Sequence, residues 1–232
     1  MRDLPLVLLP GTLCDASLWQ AQYAAFVDER PVIVPDLGIE ASIGAEAARM
    51  LAELPERFWL AGFSLGGIVA LELVRQARDR VAGLCLIGSN ARPDRAENRP
   101  HRMTLLQRAC DGELRAMLRE ALTPHYFATG SRQVAALTAQ VETMAEAVRS
   151  RFAHQTRYAC ERSDSLPLLA SLEVPVALIV GDDDRVVPPG CQQDMLAAAA
   201  HASLAVVPAC GHFVPLEAPQ ACNDAMRRWM GG

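Results

Sequence analysis

The stretch Arg57–Ala77 reads RFWLAGFSLGGIVALELVRQA, and the rest of the chain can be interpreted outward from it. Its first half is a continuous apolar run, as expected of a strand buried on both faces of a parallel sheet. Its second half, from Gly66 to Ala77, carries apolar residues at helical spacing. Between the two lies GFSLGG, Gly62 to Gly67, a G-x-S-x-G string placed where strand gives way to helix. A serine at that position sits on a turn so sharp that any side chain two residues away would clash. Gly62 and Gly66 remove the clash, and Gly67 lets the helix approach the sheet closely. The helix start also offers N–H groups and the positive end of its dipole to an anion forming at Ser64. A glycine-rich turn with an incidental serine is the plainer alternative.

Working outward, short apolar runs recur with helical segments between them, the pattern of βαβ units and a parallel sheet. Six strands are predicted, at Pro5–Leu9, Pro31–Pro35, Phe58–Gly62, Val81–Ile87, Val174–Val180 and Leu204–Val207. Helices are predicted at Leu18–Asp28, Ala45–Leu54, Gly66–Ala77, Gln192–Ala200 and Pro219–Trp229. The alternation breaks between Ala91 and Ser165, where only amphipathic helical patterns occur, such as QVAALTAQVETMAEAV. The expected architecture is therefore a doubly wound α/β core, residues 1–90 and 166–232, with a helical lid inserted at 91–165. The lid holds 12 arginines against nine acidic residues, although the whole chain carries a net charge of −5.

Composition narrows the chemistry. A chain of 232 residues suits one sizeable domain, and a net charge of −5 gives no general pull toward nucleic acid or an anionic membrane. All 22 basic residues are arginine, which rules out lysine Schiff-base chemistry and pyridoxal-phosphate attachment. The seven cysteines form no C-x-x-C pair, and no metal-ligand spacing appears, so neither metal nor organic cofactor is expected. The opening MRDLPLVLLPGT is too short an apolar run for a secretory signal, and no stretch reaches transmembrane length. A cytoplasmic setting is expected.

Ligands bind beyond the C-terminal ends of strands in open α/β sheets. Three further loops fall there. The first is GTLCDASLW after the opening strand, where Gly11 turns the backbone. The Thr12 and Leu65 N–H groups are assigned to an oxyanion hole. The second is GDDDRVVPPG, with Asp182, Asp183 and Asp184, and the third is PACGHFVPLEAP, with His212 and Glu217. A serine nucleophile needs a base, and the base needs a carboxylate to fix its tautomer; the chain order Ser, acid, His supplies all three. His101, His125 and His154 lie in the lid and His201 closes a helix, so His212 is the candidate base.

Together these four segments resemble the α/β-hydrolase superfamily, especially its lidded carboxylesterase branch, which includes enzymes acting on pimeloyl-carrier-protein methyl esters. The family's H-G-x opening appears as Pro10-Gly11-Thr12, with Trp19 at the expected distance. Its G-x-x-D-x-x-x-P motif matches Gly181, Asp184 and Pro188, and G-H-F-x-x-x-E-x-P matches Gly211 to Pro219. The resemblance implies a Ser64–His212–Asp184 triad that hydrolyses a small carboxylic ester, thioester or lactone through an acyl-enzyme. Asp94 is the alternative acid, because some relatives carry theirs after the preceding strand. Carbon–carbon bond hydrolysis, perhydrolysis and cyanohydrin cleavage on the same triad remain open, as does a ligand-sensing module.

Inside the lid, Tyr126 and Phe127 are candidates to line a substrate pocket, with Phe152 and Tyr158 behind them; packing within the lid is the alternative for each. On one continuous helix Arg95, Arg99 and Arg102 would share a face. Such a stripe would suit an anionic acyl group or an acidic carrier protein, or would simply be solvated surface.

Overall fold

The computed structural model describes residues 4–199 and 201–231. Met1 to Asp3, Ala200 and Gly232 lie outside the described residues. So do the first residues of the leader reading, the end of the predicted Gln192–Ala200 helix and the outer limits of the expected core.

Six strands form one parallel sheet: β1 (Leu6–Leu9), β2 (Val32–Ile33), β3 (Phe58–Phe63), β4 (Val81–Ile87), β5 (Val176–Gly181) and β6 (Ser203–Val207). Their order is β2-β1-β3-β4-β5-β6, so β1 lies one place in from the edge strand β2, and the chain then crosses back past it to build the rest of the sheet. β2 is shorter than the predicted Pro31–Pro35 run. The prolines at its two ends have no N–H for the ladder, and only Val32 and Ile33 pair with Leu6 and Val7.

Alternation along the strands sorts side chains into two cores. Leu6, Leu8, Ala61, Phe63, Cys85, Ile87 and Ile179 face one side, where α1 (Gln20–Phe26) and α11 (Pro219–Gly231) pack against each other. Val7, Leu9, Leu60, Leu84, Leu86 and Leu178 face the other. There α2 (Ile43–Glu53) packs on α3 (Leu65–Ala77), and α3 packs on β1, β3 and β4. Helices on both faces are why the central strands read as unbroken apolar runs.

Between β4 and β5 the described chain is helical: α4 (Asn98–Cys110), α5 (Leu114–Met117) running into a π-helical turn at Leu118–Leu122, α6 (Val134–Ala147), α7 (Phe152–Glu161) and α8 (Leu166–Ala170). After β5 come α9 (Pro189–Ala198) and the short α10 (Val214–Glu217). The insertion is tied to the core through α7, which packs on α2 and α3 of the core as well as on α4 of the insertion. Tyr158 on α7 is fully buried and donates its hydroxyl to the Glu40 carbonyl. It therefore fastens the β2–α2 connection rather than facing a pocket.

The arginine stripe does not form as expected. α4 begins only at Asn98, so Arg95 precedes it in an irregular segment and cannot share a helical face with Arg99 and Arg102. Pro100 in the first turn lacks an N–H and its ring crowds the carbonyl four residues earlier, so the helix does not extend back to Arg95. In the irregular segment before it, Asp94 turns inward to within 2.8 Å of Arg102 and 3.0 Å of Arg162 on the chain beyond α7.

Candidate active site

Ser64 occupies the step between β3 and α3 with φ 51° and ψ −114°, a positive-φ conformation that a serine adopts only under tertiary constraint. The constraint is close packing. A Cβ on Gly66 would lie 2.5 Å from the Pro10 carbonyl oxygen and nearer still to that of Leu9. One on Gly62 would lie 2.5 Å from the Gly67 nitrogen. The elbow is braced from β4 as well: Ser64 N–H donates to the Ile87 carbonyl at 2.9 Å, and Ser89 Oγ–H donates to the Ser64 carbonyl at 2.8 Å. Ser89 follows β4 with no motif around it in the sequence to mark this role.

His212 arrives on the loop after β6. Its Nδ1 lies 2.9 Å from Asp184 Oδ2, and both side chains are 2% exposed. Asp184 Oδ1 accepts the Val186 and Val187 amides at 2.8 and 3.0 Å, so with His212 three of the carboxylate's roughly four acceptor sites are filled inside the protein. Burial alone would raise this carboxyl, but the charge and hydrogen bond of His212, with the two amides, outweigh it and hold it below the ordinary carboxylate range. The neighbouring aspartates are occupied elsewhere: Asp182 accepts the Cys210 amide at 3.2 Å, and Asp183 accepts the Thr129 amide and hydroxyl at 2.6 and 2.7 Å. Asp94, the alternative acid, is locked between Arg102 and Arg162 and does not bond His212 among the described residues.

Ser64 and His212 line one cavity of about 510 Å³, together with Thr12 and Leu65. The Thr12 and Leu65 amides have no protein acceptor among the described residues, so both remain available as donors. The loop carrying Thr12 is fixed by a residue that sequence patterning had no means to single out. Gln155, fully buried on α7, accepts the Leu13 amide at 2.8 Å and donates to the Leu37 carbonyl at 3.0 Å. Leu13 itself has φ 55°.

Of the proposed pocket aromatics, Tyr126 lines the cavity and so does Phe152, whereas Phe127 does not. Phe127 is 2% exposed and packs on Phe213 with ring centroids 5.7 Å apart, so it belongs to the core. The segment holding these two residues is pinned to the histidine loop. The His212 amide donates to the Tyr126 carbonyl at 2.7 Å, and Arg185 donates to the Phe127 carbonyl at 2.6 Å. Glu217 accepts the amides of Ala128 and Gly211 at 2.8 and 2.9 Å, bridging insertion and core. Burial raises its carboxyl despite those two hydrogen bonds.

All seven cysteines are free, and burial pushes the Cys210 thiol up to about 12, well away from a reactive thiolate. No helix among the described residues is long and apolar enough to cross a membrane.

A family model described as the alpha/beta hydrolase family matches residues 6–225. The chain belongs to the alpha/beta hydrolase family. Among curated proteins it is 26% identical to the pimeloyl-[acyl-carrier protein] methyl ester esterase of Nitrosomonas europaea, over 95% of this chain and 94% of that one. It is also 26% identical to the bifunctional biotin biosynthesis protein of Cellvibrio japonicus, covering 96% of this chain but only 46% of that protein's length. Among solved structures, a thermophilic esterase from Thermogutta terrifontis with malate bound superposes with a TM-score of 0.89 at 30% identity, covering 99% of this chain and 90% of the esterase. An enol-lactonase from Burkholderia xenovorans, at 19% identity and a TM-score of 0.85, shares the fold. Esterases thus stand among the relatives of this alpha/beta hydrolase.

Proposed function

We propose that the protein hydrolyses a small carboxylic ester through an acyl-enzyme formed on Ser64, with thioesters and lactones within reach of the same chemistry. The carrying observation is the 2.9 Å pairing of His212 Nδ1 with a buried Asp184 whose other oxygen is saturated by backbone. That pairing keeps the imidazole proton on Nδ1 and leaves Nε2 as the base in the cavity that Ser64 lines.

In the reaction Ser64 Oγ attacks the ester carbon while His212 Nε2 takes the hydroxyl proton. The carbonyl oxygen becomes an oxyanion received by the Thr12 and Leu65 amides, two donors fixed before substrate arrives. Collapse expels the alkoxide, which takes the proton from His212 and leaves as alcohol. Water, deprotonated by His212, then attacks the acyl carbon, releases the acid and restores Ser64. Asp184 stabilises the imidazolium in both halves. The helical insertion acts as a lid over the site, and the enzyme is assigned to the cytoplasm.

A second reading concerns the acyl donor. The curated relatives named for pimeloyl-[acyl-carrier protein] methyl esters favour an acyl chain borne on an acidic carrier protein. Both readings are tested by comparing activated esters of graded acyl length, free and carrier-bound, in wild type and Ser64→Ala. The expected result is a loss on the order of 10⁶-fold in turnover for the variant. Turnover retained in Ser64→Ala overturns the acyl-enzyme.

A further inference from the structure

The cavity at Ser64 belongs to an acidic protein, yet among the described residues its wall holds Arg92, Arg95, Arg102, Arg162 and Arg185 and no aspartate or glutamate. Carboxylates reach these arginines only from outside the lining. Asp194 pairs with Arg92, Asp183 lies 3.8 Å from Arg185, and the 3%-exposed Asp94 serves Arg102 and Arg162 together. Five guanidinium groups therefore meet three carboxylates, an excess of two positive charges around a reaction cavity.

The excess has a specific location. Arg162 is committed on every nitrogen, to the Arg92 carbonyl, the Ala159 carbonyl and Asp94. Burial, with Arg102 nearby, holds its guanidinium below the usual arginine range even though Asp94 opposes the shift. Arg102 spends Nε and Nη2 on Asp94 and keeps Nη1 without an acceptor among the described residues. Arg95 has neither ion pair nor side-chain hydrogen bond among the described residues, although it lines the same wall. Arg99, on the exposed side of α4, does not line it.

Resting on the hydrolase reading above, we infer that this wall is an anion subsite. Arg95 and the Nη1 edge of Arg102 hold the ionised carboxylate of a half-ester of a small dicarboxylic acid while its ester carbonyl lies at Ser64. A guanidinium pair suits a planar carboxylate because it presents donors in a fixed fork. Asp94, held by its two arginines, is a positioning residue that orients Arg102 and leaves it an open edge.

The test compares a monomethyl ester of a dicarboxylic acid with a neutral methyl ester of equal chain length, in wild type, Arg95→Gln, Arg95→Lys and Arg99→Gln. Wild type is expected to prefer the anionic ester by roughly tenfold in kcat/KM at low salt, the effect of one charge-assisted hydrogen bond. The preference shrinks as salt screens the exposed guanidinium. It collapses in Arg95→Gln, returns in part in Arg95→Lys and persists in Arg99→Gln. Equal kcat/KM for both esters in wild type at low salt overturns the subsite while leaving the hydrolase intact, as does a preference that Arg99→Gln abolishes as fully as Arg95→Gln. Absence of turnover on either ester, and on activated esters, instead overturns the hydrolase reading itself.

Discussion

Replacing Asp184 by asparagine keeps the size of the side chain and changes one group, so its consequence can be worked out atom by atom. In the wild type Oδ1 accepts two amides, Val186 and Val187, while Oδ2 faces His212 Nδ1. An asparagine must leave its carbonyl oxygen with the two amides, since turning its NH₂ toward them would set donors against donors. The NH₂ then faces His212, whose Nδ1 must accept and whose proton moves to Nε2. That tautomer cannot take a proton from Ser64. The expected loss is about 10³–10⁴-fold in kcat/KM, or roughly 4–5.5 kcal/mol of transition-state stabilisation at 1.36 kcal/mol per decade. Asp183→Asn alters an exposed tie to Thr129, and Asp182→Asn a single amide contact, so each is expected to cost less than about tenfold. The assay is steady-state hydrolysis of an activated ester, with circular dichroism verifying that all three variants are folded. Equal losses in the Asp183 and Asp184 variants, or activity surviving in Asp184→Asn, would refute the reasoning.

Three further outcomes follow from the same geometry. Gly66→Ala drives a methyl into the Leu9 and Pro10 carbonyls and is expected to cost about 3 kcal/mol or more in urea unfolding; a cost below about 1 kcal/mol would show that the elbow can relax. Glu217→Ala orphans the Ala128 and Gly211 amides, so it should destabilise by roughly 2 kcal/mol and raise hydrogen exchange at both positions, whereas unchanged protection would remove the latch. Because the Asp184 carboxyl is depressed in the folded state, its contribution is full above the unfolded value near ~3.9 and is lost as pH falls through the folded one. Denaturant titrations from pH 5 downward should therefore show the wild type losing stability more steeply than Asp184→Asn, and parallel profiles would contradict that linkage.

The sheet was legible because burial on both faces leaves a plain signal: β4 appears in the structure with the bounds read from sequence, Val81–Ile87. β2 was over-read, since apolar residues bounded by prolines look like a longer strand than the ladder can use. The elbow glycines were legible for the same local reason, as the clash they avoid lies within five residues of the serine or against the adjacent strand end. What could not be read is what depends on distant partners. Asp94 looked like a spare acid after β4, and only Arg162, far along the chain, shows that it is held in a buried ion-pair cluster instead. Tyr126 and Phe127 are adjacent apolar letters, and nothing in a helical insertion says which faces the cavity and which packs on Phe213. Gln155 illustrates the opposite failure: one glutamine braces the Thr12 loop from α7, with no pattern around it to announce the role.

The most direct measurement is covalent. A fluorophosphonate, whose phosphorus mimics the attacked carbonyl, should label the folded protein once, and peptide mass spectrometry should place the adduct on Ser64. His212→Ala should slow that labelling by several orders of magnitude, because among the described residues no other histidine lining the cavity is paired with a buried carboxylate. An adduct on a different residue, or labelling of Ser64 at an unchanged rate without His212, would contradict the proposed triad.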